Sequence, residues 1–158
     1  MVVLVSLGQD QSYLSTSYTP GFTLAHRADI KNLAAHNYGL EVSFEKEKSE
    51  SDWGAHYASP IVGYGLLYYN FGREETGHAL GGMVHVKLNV LSLKKSDLKF
   101  RMGAGLAYLT EKFDVYDNRR NQAIGSHLNG SMQFGLVYHR ALWRKDYIED
   151  GISISHYS

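Results

Sequence analysis

Two residues at the end of the sequence carry side chains that could do chemistry together. The last eight residues read GISISHYS, and in an extended strand alternate side chains share a face. Ile152, Ile154, His156 and Ser158 therefore lie on one side, and Ser153, Ser155 and Tyr157 on the other. Residues two apart on a strand have Cα atoms about 6.6 Å apart, a gap that leaning side chains can close to a hydrogen bond. An imidazole so placed could take the hydroxyl proton of Ser158 and activate the oxygen toward an ester carbonyl. A third group, normally a carboxylate, must then fix the imidazole tautomer. Asp150 has the right parity but stands six residues, about 20 Å, down the strand. A lone His-x-Ser also has a bland reading, as two polar residues at the watery end of a strand.

The elements that would position this pair follow from composition and periodicity. The chain has 158 residues, enough for one domain with a sizeable core. Sixteen basic and sixteen acidic side chains cancel, so bulk charge gives no reason to expect a nucleic-acid partner. The absence of cysteine removes disulfide scaffolds, thiolate metal sites and thiol nucleophiles. Sixteen glycines against two prolines, with twelve tyrosines, suit a β-rich chain. No segment reaches the roughly 18 apolar residues of a membrane-spanning helix, so any spanning element must be a strand. Residues 1–10 begin with six apolar residues in seven. They read as a remnant of an export signal, with an ordinary first strand as the other reading. Residues 11–158 are expected to form a single β-barrel domain, incomplete at its carboxyl end.

Alternation with a period of two runs through most of the chain. Leu128, Met132, Phe134, Leu136 and Tyr138 oppose His127, Asn129, Ser131, Gln133 and His139. Val84, Val86, Leu88 and Val90 oppose His85, Lys87 and Asn89, and Tyr38, Leu40, Val42 and Phe44 oppose Glu41, Ser43 and Glu45. Weaker or similar patterns at 61–70 and 98–108, an opening strand near 12–19 and a closing one at 147–158 bring the count to seven. The stretch 28–35 could add a helical turn or two. Short links at 93–96 and 141–146 alternate with longer polar ones at 20–36, 71–78 and 111–123, while 47–59 is longer than that alternation expects.

Periodicity alone leaves open whether the apolar face meets a second sheet, as in a β-sandwich, or lipid, as in an outer-membrane barrel. Three features favour the barrel. Several strands are long enough to cross a bilayer, tyrosines gather near strand ends, and Gly63, Gly65, Gly103 and Gly105 fall on the polar parity, as a crowded lumen requires. Glu41, Glu45, Lys87 and Arg101 then face inward and are expected to pair across the lumen. With the amino end in the periplasm, the last strand runs outward and leaves His156 and Ser158 at the outer rim facing lipid. Seven strands would leave two open edges, which an eighth strand after Ser158 would close.

The ending HYS, in this succession of antiparallel strands, resembles the outer-membrane lipid A 3-O-deacylases, the PagL-like family. The resemblance implies an all-β fold, an antiparallel up-and-down transmembrane β-barrel of eight-stranded type with about seven strands present. It implies an ester hydrolase that removes an acyl chain from lipopolysaccharide at the outer membrane of a Gram-negative cell, with a Ser-His-Glu triad on the barrel exterior. The family's His-x-Ser maps onto His156 and Ser158. Its following Asn and its triad Glu lie beyond Ser158, so the 158 residues alone are expected to be inactive. No metal or organic cofactor is implied, and a homodimer is compatible with it. The alternative is a non-enzymatic small barrel with a structural or adhesive role.

Other signals carry less. Arg119 and Arg120, near Lys112 in an expected outer loop, could meet lipid A phosphates as charge partners, or be a solvated loop. Eight histidines include no His-Glu-x-x-His, so no metal site is expected. GHALGG (77–82) is glycine-rich but leads into a strand, which excludes a phosphate loop.

Overall fold

Strict alternation of apolar and polar residues leaves a strand with two faces that need different surroundings, and a sheet closed on itself supplies both. The computed structural model describes residues 2–5, 12–24, 28–48, 59–142 and 147–158. Eight antiparallel strands follow one another around a closed barrel. They are β1 (Val2–Val5), β2 (Ser12–Phe22), β3 (His36–Glu47), β4 (Ile61–Asn70), β5 (His78–Ser92), β6 (Ser96–Leu109), β7 (Leu128–Ala141) and β8 (Tyr147–Tyr157). The seven strands expected from the alternation are β2 to β8, and a 3-10 helix at Ala28–Leu33 occupies the link where a helical turn was expected. Its Ile30 and Leu33 are buried. Most of the 47–59 link, with Tyr57, and the turn bearing Arg144 and Lys145 lie outside the described residues.

The eighth strand comes from the amino end. Val2–Val5 pairs with Ser17 to Leu14 of β2, and Val2 meets Glu149 of β8. Within the stretch expected as the remnant of an export signal, or else a first strand, residues 2–5 are a strand here; residues 1 and 6–10 lie outside the described residues. The seam they make is short. Among the described residues nothing pairs with Gly151–Tyr157 on the side of β8 away from β7.

The register fixes the tilt. Tyr157 of β8 leads through Ser131, Gly105, Met83, Gly65, Ser43 and Ser15 to Leu4 of β1. Continued antiparallel from Val2↔Glu149, Leu4 falls opposite Tyr147. One circuit therefore descends from residue 157 to residue 147, ten residues over eight strands, which gives a strand tilt of about 40°.

The two faces then separate cleanly. Leu40, Val42, Phe44, Tyr64, Leu66, Val84, Leu106, Met132, Phe134, Leu136, Ile152 and Ile154 are exposed on the outside. Burial on the inside belongs to Ser43, Glu45, His85, Lys87, Lys99, Ser131, Gln133 and Glu149. An apolar exterior over a polar interior inverts a soluble protein and matches a barrel whose solvent is lipid. No helix among the described residues is long and apolar enough to cross a membrane; the strands do so.

The lumen is filled rather than open. Lys87 Nζ lies 2.9 Å from Glu45 Oε2 and 2.6 Å from Glu149 Oε2. Arg101 pairs with Glu41, His85 with Glu45 at 3.2 Å, and His139 with Glu149 at 3.0 Å. The expected cross-lumen pairing of Glu41, Glu45, Lys87 and Arg101 is what the structure contains. Gly63 and Gly65 make room for it: a Cβ at either would run into the His85 ring or into Ser43 and Glu41. Toward the end where β8 finishes, the interior turns apolar, with Ala79, Ala107, Leu109 and Ile124 packed against Tyr69, Phe71 and Tyr157.

Candidate active site

Strand β8 presents the sequence-derived pair. Ile152, Ile154, His156 and Ser158 are all exposed on the barrel exterior, the isoleucines at 76% of their possible surface. Tyr157 points the other way. Its ring packs edge-on against Tyr69 at 5.9 Å and Phe71 at 5.5 Å. That inward anchor holds the end of β8 while its neighbours face out. The backbone of Ser158 is tied to β7 by two bonds with Gly130: Gly130 N donates to Ser158 O at 2.7 Å, and Ser158 N donates to Gly130 O at 3.0 Å.

The height of the pair in the bilayer follows from the tilt. Ten residues per circuit amount to about one and a quarter residues per strand. Stepping from His156 around the barrel with that allowance brings Tyr68 and Tyr38 to within about one residue of the same level, with Tyr108 slightly above it. These tyrosines are part of a girdle in which Tyr18, Tyr38, Tyr68 and His78 neighbour one another at 6.2, 6.3 and 5.7 Å, and Tyr108 stacks on His127 at 5.3 Å. Rings with one apolar body and one polar tip settle where hydrocarbon meets headgroups. His156 and Ser158 therefore stand at that boundary.

The surface beside the pair is shallow. In register across the sheet run Gly82, Leu106, Gly130 and Ser158, and next to them Val84, Ala104, Met132 and His156. Gly130 was not singled out by sequence reasoning, although it interrupts an otherwise large apolar series. A Cβ there would touch only the Ser158 carbonyl, at 3.4 Å. Farther along, Tyr64, Gly82, Val84, Ala104 and Leu106 line an apolar groove of about 460 Å³.

The structure brings His156 and Ser158 to one face without a hydrogen bond between them. Asp150 shares that face but accepts its neighbour's amide, Gly151 N, at 2.9 Å. No acid of β7 faces outward beside His156. Arg119 and Arg120 lie in the link between β6 and β7. Arg119 Nε donates to the Val115 carbonyl, and Arg120 Nη1 lies 3.4 Å from Glu75 Oε1. That link is ordered locally by Asp114, whose carboxylate accepts the amides of Tyr116 at 2.7 Å and Asp117 at 3.1 Å. Those bonds hold its pKa below the usual carboxylate range. No cluster of three or more metal-ligating acids, histidines or cysteines exists among the described residues.

Comparison with protein families matches residues 36–158, all but the first quarter of the chain, to lipid A 3-O-deacylase (PagL). The chain belongs to the lipid A 3-O-deacylase family. Lipid A 3-O-deacylases are hydrolases carried on outer-membrane β-barrels of Gram-negative bacteria, and the exterior apolar band and girdle described above are what such a barrel requires. The matched span of the deacylase family takes in β3 to β8 and both residues of the His-x-Ser pair. Neither the curated proteins nor the solved structures contain a match.

Proposed function

We propose that the protein hydrolyses the ester linking an acyl chain to the glucosamine backbone of lipid A, with Ser158 as nucleophile and His156 as base and then acid. The observation that carries this reading is the position of both side chains on the lipid-facing surface at the level of the tyrosine girdle, where the ester bonds of an outer-leaflet lipid lie. Ser158 Oγ attacks the ester carbonyl as His156 takes its proton. His156 then returns that proton to the departing sugar oxygen, leaving an acyl-enzyme that water cleaves by the same steps in reverse order. The chain being removed runs down the apolar wall formed by Met132, Leu106 and the open surface at Gly130. Arg119 and Arg120 supply charge for the phosphates of lipid A.

On this reading the third member of the triad is a carboxylate brought to the free edge of β8. His156 has no carboxylate partner among the described residues, and that edge passes beside it. A Glu as that acid, and an Asn as oxyanion donor, would fit the resemblance to the family.

Mass spectrometry of lipid A from cells expressing the full-length gene tests the proposal. The wild-type protein is expected to yield lipid A lighter by one acyl chain, and Ser158→Ala to leave it intact. Unmodified lipid A in both, with the protein folded in the outer membrane, would favour a non-enzymatic barrel instead.

A further inference from the structure

A second polar site lies across the barrel from Ser158. β4 is four strands from β8 in either direction, and above its Tyr68 the rim opens into a cleft of about 570 Å³. His36 and Tyr38 come from β3, Asn70 from β4, Arg73 and Glu74 from the β4–β5 link, and Glu111 from beyond β6. No deacylation step uses these residues.

The cleft is built, not incidental. The β4–β5 link folds back on itself: Gly77 N donates to Arg73 O at 2.8 Å and Phe71 N to Gly77 O at 3.1 Å. Gly72 and Gly77 take φ values of 78° and 59°, in the left-handed region that favours glycine. A Cβ on Gly72 would strike the His36 carbonyl, so the link lies directly on β3. Side-chain bonds hold the lining. Asn70 Oδ1 accepts from Gly72 N at 2.7 Å, Thr110 Oγ1 accepts from His78 N at 2.9 Å, and the Arg73 Nε donates to Ala34 O at 3.3 Å. Tyr68 Oη lies 2.9 Å from His78 Nδ1.

After those bonds the cleft still offers the remaining guanidinium hydrogens of Arg73, the imidazole of His36 and the carboxylates of Glu74 and Glu111, beside the Tyr38 ring. Donors and acceptors are interleaved around an aromatic surface, which suits a ligand that presents hydroxyls as both donor and acceptor. Two carboxylates against one guanidinium disfavour a phosphate. No metal-ligating trio exists among the described residues.

We propose that this rim cleft binds a neutral saccharide, placed to receive sugars that stand above the headgroup boundary. Two sources present that chemistry, the neutral hexoses of the lipopolysaccharide core and glycans free in the medium.

Saturation-transfer NMR on the full-length protein in detergent micelles tests it, with three probes: lipid-free core oligosaccharide released from lipopolysaccharide by mild acid, maltotriose, and inorganic phosphate as competitor. Transfer to sugar protons is expected, weakened about fivefold or more in Glu111→Gln, which removes one charge-assisted acceptor, and lost in Tyr38→Leu. Glu111 is half-buried in the link after β6, and Gln keeps its shape, so the test stands even if Tyr38→Leu folds poorly. Ser158→Ala is expected to bind as wild type, which keeps this outcome apart from that of the hydrolysis proposal. Transfer to the core oligosaccharide alone assigns the site to lipopolysaccharide, and transfer to both sugars assigns it to saccharides generally. No transfer to either sugar, equal transfer in Glu111→Gln, or displacement by phosphate would overturn it.

Discussion

At Gly130 a single hydrogen atom keeps the surface next to Ser158 open. The position is on the exterior parity of β7, between Leu128 and Met132, where every other residue of that face from 128 to 138 is large. A leucine there would gain lipid contact and so cost the barrel little. It would also rise beside Ser158, since Gly130 and Ser158 share both backbone hydrogen bonds. An ester carbonyl must come within about 3–3.5 Å of the attacking oxygen, and displacement by 1 Å can cost about a hundredfold. Gly130→Leu in the full-length protein is therefore expected to lower the initial rate of lipid A deacylation by at least about tenfold, with heat-modifiable mobility on gels unchanged. A wild-type rate would mean that substrate reaches Ser158 from the other side, over the free edge of β8.

Strand β8 shows what periodicity reveals and what it hides. Its two faces were legible in GISISHYS, because an alternating strand assigns every residue a side, and the parity of Glu41, Glu45, Lys87 and Arg101 was legible for the same reason. Which side met lipid was not a matter of period. It rested on strand length, on tyrosines near strand ends and on glycines at 63, 65, 103 and 105, and the reason for the first two glycines is visible only once the His85 ring and Ser43 fill the space beside them. Strand β1 was ambiguous because a short apolar run reads alike as an export signal and as a strand. The rim cleft was illegible, since its lining comes from separate stretches between His36 and Glu111 that only barrel closure assembles. The lipid-facing assignment of β8 has its own test. Tilted strands rise about 2.5 Å of height per residue, so Ile152 lies about 15 Å below Ser158, near the bilayer centre. Ile152→Arg is expected to destabilise the folded barrel by about 2–4 kcal/mol, read as a shift in urea midpoint in phospholipid vesicles. An Arg tolerated without loss would sink the claim that hydrocarbon covers this face.

The whole barrel divides its labour between a surface that meets substrate and an interior that only holds shape. Lys87 is the hinge of that interior: its side chain is 2% exposed and bridges Glu45 and Glu149, which reach it from β3 and β8. Each acid has further partners. Glu45 accepts from Ser15 at 3.1 Å and Tyr147 at 3.3 Å, and Glu149 pairs with His139. Strands β2, β3, β5, β7 and β8 are therefore joined through one network across the lumen. Removing only the cation leaves two buried carboxylates facing each other, and breaking a buried pair from one side typically costs about 3–5 kcal/mol. Lys87→Met is expected to lose about that much stability in urea titrations, and adding Glu45→Gln to recover part of it, because one uncompensated charge is then gone. The proposed nucleophile and base lie outside the wall, so deacylation per folded molecule is expected to stay at the wild-type level in both variants. A rate that fell with stability would instead tie the lumen network to the setting of β8, through Glu149 on the strand that carries His156 and Ser158.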